Sequence, residues 1–200
     1  MASIVGHSVG GILAKELAGK EASGRQGRVL LGCLVFLALL PDLDVLIYIL
    51  FEPENMQPHR GFSHSLLFCL IVASMAMFPL SRVTGIGRRR LFSLSMVALV
   101  SHLLLDFLMG AGPPLPLLAP FSQAAYLSPI SFIPWAYYST SAQGLLGILL
   151  YPPAIRGFCL ELLIFVPLVL LLRDRQPPAM RVILAASSAC ALLATVVIYN

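Results

Sequence analysis

The four histidines of this 200-residue chain lie in short polar motifs within an otherwise apolar sequence. The same motifs contain three of the nine acidic residues. In chain order the motifs are GHSVGG at 6–11, PDLD at 41–44, HRGFSHS at 59–65 and SHLLLD at 101–106. Imidazole and carboxylate groups are the nitrogen and oxygen ligands that divalent transition metals bind. The motifs therefore predict a metal site.

The spacing of the residues in the acidic motifs determines whether their side chains can reach one metal ion. His102 and Asp106 are four residues apart, so both project from one face of a helix. Asp42 and Asp44 are two residues apart and would point in different directions on a regular helix. Pro41 can change that geometry, because it removes a backbone donor. We expect one of the two aspartates to be a metal ligand and the other to orient the reacting water or take its proton.

The motif at 59–65 combines two histidines with an arginine. We expect a tight turn between His59 and His64, at Gly61. Arg60 has two interpretations: it holds a substrate phosphate through a bidentate fork, or it pairs with one of the aspartates. Three serines beside the histidines either hold their second ring nitrogens or cap helices. They are Ser63, Ser65 and Ser101.

Composition indicates an integral membrane protein. Charged residues make up 11% of the chain, against about 25% in soluble domains, and the mean hydropathy is +0.90. Eleven of the 13 basic residues form three groups between apolar runs, which is typical of cytoplasmic loops and argues against nucleic-acid binding. The groups are Lys15, Lys20, Arg25 and Arg28; Arg82, Arg88, Arg89 and Arg90; and Arg173, Arg175 and Arg181.

The apolar runs predict an all-α helical bundle of five or six membrane segments in one domain, residues 1–200. Residues 1–135 form its metal-site region, and 136–200 add further membrane helices. The stretch 110–155 is rich in proline and aromatic residues, and we expect it to re-enter the membrane or lie on its surface. The runs are 4–18, 29–51, 62–81, 91–109, 156–172 and 182–199.

Orientation by the basic loops places all the motifs at one depth, near the outer leaflet of the cytoplasmic membrane. Acidic residues inside a bilayer are costly, at about 2.5–3.5 kcal/mol each on insertion scales. Three aspartates without a neighbouring lysine therefore require another cation. The seven side chains that converge there are His7, Asp42, Asp44, His59, His64, His102 and Asp106.

Six or seven such ligands suit one or two divalent ions, zinc before manganese or iron. A bound metal lowers the pKa of water to about 7 and supplies hydroxide, which predicts a hydrolase acting on a membrane lipid at a phosphoester bond. Trp135, Tyr137 and Tyr138 would shape the substrate entrance, with Arg60 holding the phosphate. The alternatives are a transporter and a non-catalytic scaffold with a structural metal. The sequence predicts no oligomeric state.

The motifs GH, PDLD, HRGFSHS and SHLLLD, in this order and spacing, resemble the YdjM/YbcI-type family of membrane-bound metal-dependent hydrolases. The stretch at 117–135 is similar to the segment that follows the motifs in that family. The resemblance implies the same seven ligands and a metal-dependent hydrolytic activity. A more distant likeness is to zinc-dependent phospholipase C and the P1-type nucleases. The chain lacks the further histidine and second HxxxE of those enzymes, so a third metal is not expected.

Overall fold

The computed structural model describes residues 4–19, 23–51, 59–137, 139, 142–172 and 176–200. Helices dominate these ranges, and their one β pairing is an isolated bridge between Leu115 and Tyr126. The all-α fold expected from the sequence is confirmed. The helices are α1 (Ile4–Leu17), α2 (Gly24–Leu39), α3 (Leu43–Phe51), α4 (Leu66–Thr84), α5 (Arg88–Leu108), α6 (Ala142–Ile148), α7 (Pro152–Leu171) and α8 (Pro178–Tyr199).

Five stretches of the described chain are long and apolar enough to cross a membrane. The prediction of a polytopic membrane protein is therefore confirmed, at the lower of the two expected numbers of spans. Helix α1 has only 14 residues, which is short of the roughly 20 needed to cross a bilayer, and it packs against α2, α5 and α7. The five stretches are Gly24–Ile47, Leu66–Thr84, Arg88–Leu108, Pro152–Leu171 and Pro178–Tyr199.

A proline interrupts the first of these stretches. Helix α2 ends at Leu39, a 3-10 turn covers Leu40–Asp42, and α3 begins at Leu43. Pro41 lies in the turn, where its missing N–H prevents a regular α-helical hydrogen bond. The stretch Gly24–Ile47 nonetheless has the length and hydropathy of a single span.

The connection into α4 has a left-handed residue beside Gly61. Arg60 has a positive φ of 61°, whereas Gly61 has a φ of −82°. The left-handed conformation therefore falls on Arg60, while Gly61, with a ψ of −148°, is neither helical nor extended. Ser65 caps α4 by accepting a hydrogen bond from the backbone N–H of Phe68 at 3.1 Å, which supports the capping interpretation for this serine.

The proline-rich segment after α5 is ordered and covers one end of the helix bundle. The backbone N–H of Leu66, at the start of α4, donates to the carbonyl of Leu117 at 2.9 Å. The N–H of Phe132 donates to the carbonyl of Leu108, at the end of α5, also at 2.9 Å. These contacts place the segment over the same end of the bundle as the polar motifs.

An apolar core fills the bundle between the motifs and the basic helix ends. Its buried side chains come mainly from α1, α2, α4 and α5. Leu30 and Leu34 of α2 and Leu91 and Leu99 of α5 are fully buried in it. Burying a leucine contributes roughly 1.5–3 kcal/mol, so this layer fixes the helices that carry the polar residues.

Candidate metal centre

All seven side chains predicted as ligands lie together at one end of the bundle. We call this group the His/Asp cluster; it consists of His7 from α1, Asp42 from the 3-10 turn, Asp44 from α3, His59 and His64 from the connection into α4, and His102 and Asp106 from α5. The four imidazoles are at most 1% exposed. Four segments that are distant in sequence therefore meet in a buried polar group.

The Nε2 atoms of the histidines face one another and the carboxylates. His64 Nε2 lies 3.2 Å from His102 Nε2 and 3.5 Å from Asp106 Oδ2. His102 Nε2 lies 3.4 Å from Asp42 Oδ1, and His7 Nε2 lies 3.5 Å from Asp106 Oδ1. Atoms bound to one tetrahedral ion at about 2.0–2.1 Å are about 3.3–3.4 Å apart. The observed separations are in the range expected of ligand atoms that face a common metal centre.

The ligand atoms form two overlapping groups. One contains His7 and His102, the other contains His59 and His64, and Asp42 and Asp106 belong to both. Within each group the potential ligand atoms lie within 4.8 Å of one another. Two shared carboxylates between two histidine pairs are suited to two neighbouring ions.

Several buried polar atoms of the cluster lack the partners that burial normally requires. Among the described residues, both ring nitrogens of His7 and both carboxylate oxygens of Asp42 form no hydrogen bond. A buried polar group without a partner costs about 1–3 kcal/mol. Coordination of a cation removes that cost, so the residues present fit a metal ion.

The charges of the cluster favour the same conclusion. Burial by itself lowers the pKa of His64, but the contacts with Asp106, Asp42 and Asp44 outweigh burial and raise this pKa from 6.5 to about 10. The negative field that holds a proton on His64 equally attracts a metal cation. Binding of the cation and of the proton are then competitive, because a ligating imidazole must be neutral.

One ring is oriented by a backbone carbonyl. His102 Nδ1–H donates to the carbonyl of Ala38 at 2.7 Å, which leaves the Nε2 lone pair facing the cluster. A carbonyl near the end of a helix normally accepts from an N–H three or four residues later. Pro41, three residues on, has no N–H to give. The proline of the PDLD motif therefore removes one competitor for the Ala38 carbonyl, which accepts from the imidazole.

Replacing Pro41 by alanine is expected to weaken metal binding by about 10- to 100-fold, the usual effect of losing a group that orients a ligand. The new N–H would compete with His102 for the Ala38 carbonyl. Metal titration of the purified protein measures the affinity. Pro79→Ala is the matched control, because Pro79 also lies inside a membrane helix, α4, but outside the cluster. Equal affinities for both variants and the wild type would contradict this role.

Asp44 lies behind two imidazoles and belongs to neither group of ligand atoms. Its Oδ1 is 3.0 Å from His59 Nδ1, and its Oδ2 is 3.4 Å from His64 Nδ1. Ser63 Oγ donates to Asp44 Oδ2 at 2.9 Å and also contacts His64 Nδ1. The N–H of Arg60 donates to the same carboxylate at 3.1 Å. These contacts place the Asp44 carboxylate where it can orient His59 and His64, and direct ligation by Asp44 stays a prediction.

Arg60 pairs with an aspartate, as its second interpretation expects. The side chain is 1% exposed, and its Nε donates to Asp106 Oδ2 at 3.0 Å. One terminal nitrogen donates to the carbonyls of Ala111 and Pro113 at 2.8 and 2.7 Å. A substrate phosphate would have to replace these contacts, so the geometry favours pairing over phosphate binding. Gly112, between the two residues whose carbonyls accept from Arg60, has a φ of 82°, which glycine adopts without strain.

The aromatic residues expected at a substrate entrance lie along the proline-rich segment that follows α5 and covers one end of the bundle. Trp135 packs against Tyr199 of α8, with ring centroids 5.3 Å apart, and Tyr137 packs edge-on against Tyr151 at 5.1 Å. Tyr138 lies outside the described residues. Their role at an entrance stays a prediction.

Sequence reasoning missed the groups that act through the backbone. The carbonyls of Ala38, Ala111 and Pro113 orient His102 and Arg60, and any residue type supplies a carbonyl. The one signal in the sequence was Pro41, whose missing donor removes one competitor for the Ala38 carbonyl.

Comparison with known proteins agrees with the motifs. The model of the YdjM inner membrane protein family matches residues 1–195. The chain is 34% identical over 108 residues to the inner membrane protein YbcI of Escherichia coli (strain K12), and the alignment covers 54% of this chain and 62% of that relative. The chain thus spans about three fifths of the length of the relative it matches. No solved structure matches it. The chain belongs to the YdjM inner membrane protein family.

Proposed function

We propose that this protein is a metal-dependent hydrolase of the inner membrane that acts on a lipid at a phosphoester bond. The observation that carries the proposal is the buried meeting of four imidazoles with Asp42 and Asp106. A divalent ion, zinc before manganese or iron, would lower the pKa of a bound water to about 7 and so supply a nucleophile at neutral pH.

Six side chains would hold two ions in this proposal. His7 and His102 would hold one ion, His59 and His64 would hold the other, and Asp42 and Asp106 could serve either. Asp44 orients His59 and His64 from behind. Arg60 neutralises Asp106 and fixes its direction, so that one oxygen of Asp106 remains turned towards His7.

Substrate would reach the site beside Asp42. The side chain of Asp42 is 11% exposed, whereas the four imidazoles are at most 1% exposed. Its neighbour Leu43 is 36% exposed, and Phe62, beside Ser63, is 48% exposed. The exposed apolar side chains at these neighbouring positions favour a lipid over a water-soluble substrate.

The apolar core favours an enzyme over a transporter. Alternating access requires polar groups in both halves of the membrane. Buried leucines such as Leu30, Leu34 and Leu91 instead fill the bundle between the cluster and the basic helix ends. The basic ends would face the cytoplasm under the positive-inside rule, which would place the cluster towards the extracytoplasmic side.

Replacing Asp44 by asparagine tests the proposed function. We expect the metal-loaded wild type to hydrolyse at least one member of a lipid phosphoester panel, and the variant to do so about 10- to 100-fold more slowly, because His59 and His64 lose the carboxylate that orients them. Glu16→Gln is the control, since Glu16 is an exposed acid near the opposite end of the bundle.

Phosphate release from purified protein in mixed micelles, with and without chelator, measures this activity. Absence of metal-dependent hydrolysis across the panel would reject the phosphoesterase. Equal rates for wild type and Asp44→Asn would reject the positioning role of Asp44.

A further inference from the structure

We propose that the opposite end of the bundle holds a second site, which binds the phosphate headgroup of an anionic phospholipid. A cavity of about 850 Å³ lies there between α1, α2, α5 and α7. Its lining includes Lys15 and Glu16 near the end of α1, Arg28 near the start of α2, and Val97 of α5. We call this space the basic cavity. It is distinct from the His/Asp cluster and does not depend on metal chemistry.

The topology separates the two sites along the helices. His7 lies near the start of α1, whereas the basic cavity involves its last turn, including Leu17. Asp42 follows the end of α2, whereas the cavity is lined by residues up to Leu31 in its first half. The apolar core lies between. The cavity is therefore at the basic end of the bundle, where anionic lipid headgroups bind to membrane proteins.

Among the described residues, the charged side chains that line the cavity carry an excess of positive charge. Lys15 Nζ lies 3.1 Å from Glu16 Oε1, so these two groups neutralise each other. Arg28 is exposed, and no ion pair or hydrogen bond of its side chain is found in the part of the chain that the structure describes. A guanidinium binds two phosphate oxygens at once, in a fixed planar geometry.

The start of α2 reinforces this charge. Gly24, Gly27, Arg28 and Leu31 line the cavity together and share one helix face. The N-cap residue Ser23 makes no side-chain capping bond, and a Cβ at Gly24 would meet nothing within 4 Å. The backbone is thus accessible beside the guanidinium, and the positive end of the helix dipole adds to its attraction for an anion.

The remaining walls identify a lipid rather than a free anion as the occupant. Leu13, Leu17 and Leu31 line the cavity together with Val97 and Leu172, and Leu17 is 63% exposed. A soluble phosphate gains nothing from such walls. A phospholipid places its phosphate at Arg28 and the glycerol and first methylenes against the leucines.

Native mass spectrometry of the full chain in detergent tests this site, with phosphatidylglycerol and phosphatidylcholine as probes. We expect Arg28→Gln to reduce affinity for phosphatidylglycerol about five-fold, the effect of one charge at an anionic surface. Arg28→Lys should retain part of the affinity, because it keeps the charge and loses the fork. Arg25→Gln, a neighbour outside the lining, should bind like the wild type.

Competition by excess inorganic phosphate distinguishes a lipid headgroup from free phosphate as the ligand of Arg28. We expect excess phosphate to leave phosphatidylglycerol binding unchanged. Complete displacement of the lipid by phosphate would overturn the proposal and show that the site binds a small anion. Equal losses for Arg25→Gln and Arg28→Gln, or equal binding of phosphatidylcholine and phosphatidylglycerol, would also overturn the proposal. Metal content should be the same in every variant, so failure of this site is distinguishable from failure of the metal centre.

Discussion

Replacing Asp42 by asparagine is expected to remove both metal ions and to abolish hydrolysis. Asp42 belongs to both groups of ligand atoms, and its two oxygens form no hydrogen bond with the described residues. The amide keeps the volume of the carboxylate but loses its charge, which the ions require. Elemental analysis of the purified protein should show a fall from about two ions per chain to nearly none, since a site that loses a shared ligand loses its affinity.

Variants that lack one histidine should each lose one of the two ions. His7→Ala removes a ligand from one group only and should leave about one ion per chain; His59→Ala should do the same for the other group. Glu16→Gln, which removes an acid near the other end of the bundle, should retain both ions. Full metal content in Asp42→Asn would show that this carboxylate is not a shared ligand.

Replacing Arg60 by methionine is expected to lower the free energy of unfolding by about 3–5 kcal/mol. The change leaves the buried carboxylate of Asp106 without its partner and removes the donors to the carbonyls of Ala111 and Pro113. Unfolding by denaturant in detergent micelles measures the loss. Arg156→Met is the matched control, because Arg156 is exposed and lies 5.7 Å from the ring centroid of Tyr199. The control should lose only about 0.5–1 kcal/mol.

The same variant decides between the two interpretations of Arg60. A stable Arg60→Met protein that binds metal normally but no longer turns over a phosphoester would support phosphate binding. A destabilised protein whose Arg60→Lys counterpart is partly restored would support the ion pair with Asp106, because lysine keeps the charge but cannot form the whole network.

The fold and the meeting of the motifs followed from simple features of the sequence. Apolar runs separated by basic groups predict the membrane helices, and the same alternation brings His7 and His102 to one end of the bundle. The four-residue spacing of His102 and Asp106 predicts their common direction, which the structure shows. These features depend on hydrophobic and charge patterns that are local and regular.

The different positions of the Asp42 and Asp44 carboxylates could not be predicted in this way. It depends on the turn at Pro41, because a small change in helical phase turns Asp42 towards the imidazole Nε2 atoms and Asp44 towards the Nδ1 atoms of His59 and His64. The left-handed conformation of Arg60 was likewise unexpected, since glycine adopts it more readily. Such details arise from tertiary contacts.

The hydrogen-bond acceptors of Arg60 could not be predicted from the sequence either. Its terminal nitrogen reaches carbonyls 51 and 53 residues later in the chain, in a segment whose composition indicates only that it is not a long helix. Backbone acceptors carry no side-chain signature. Only the path of the proline-rich segment over the bundle brings them to the guanidinium.

The most direct test is a crystal structure of the full chain with anomalous scattering measured at the absorption edge of the metal that copurifies with it. We expect two anomalous peaks, each between one histidine pair and the carboxylates of Asp42 and Asp106. A structure with no anomalous signal there, and with the imidazoles paired only to one another and to the aspartates, would contradict it.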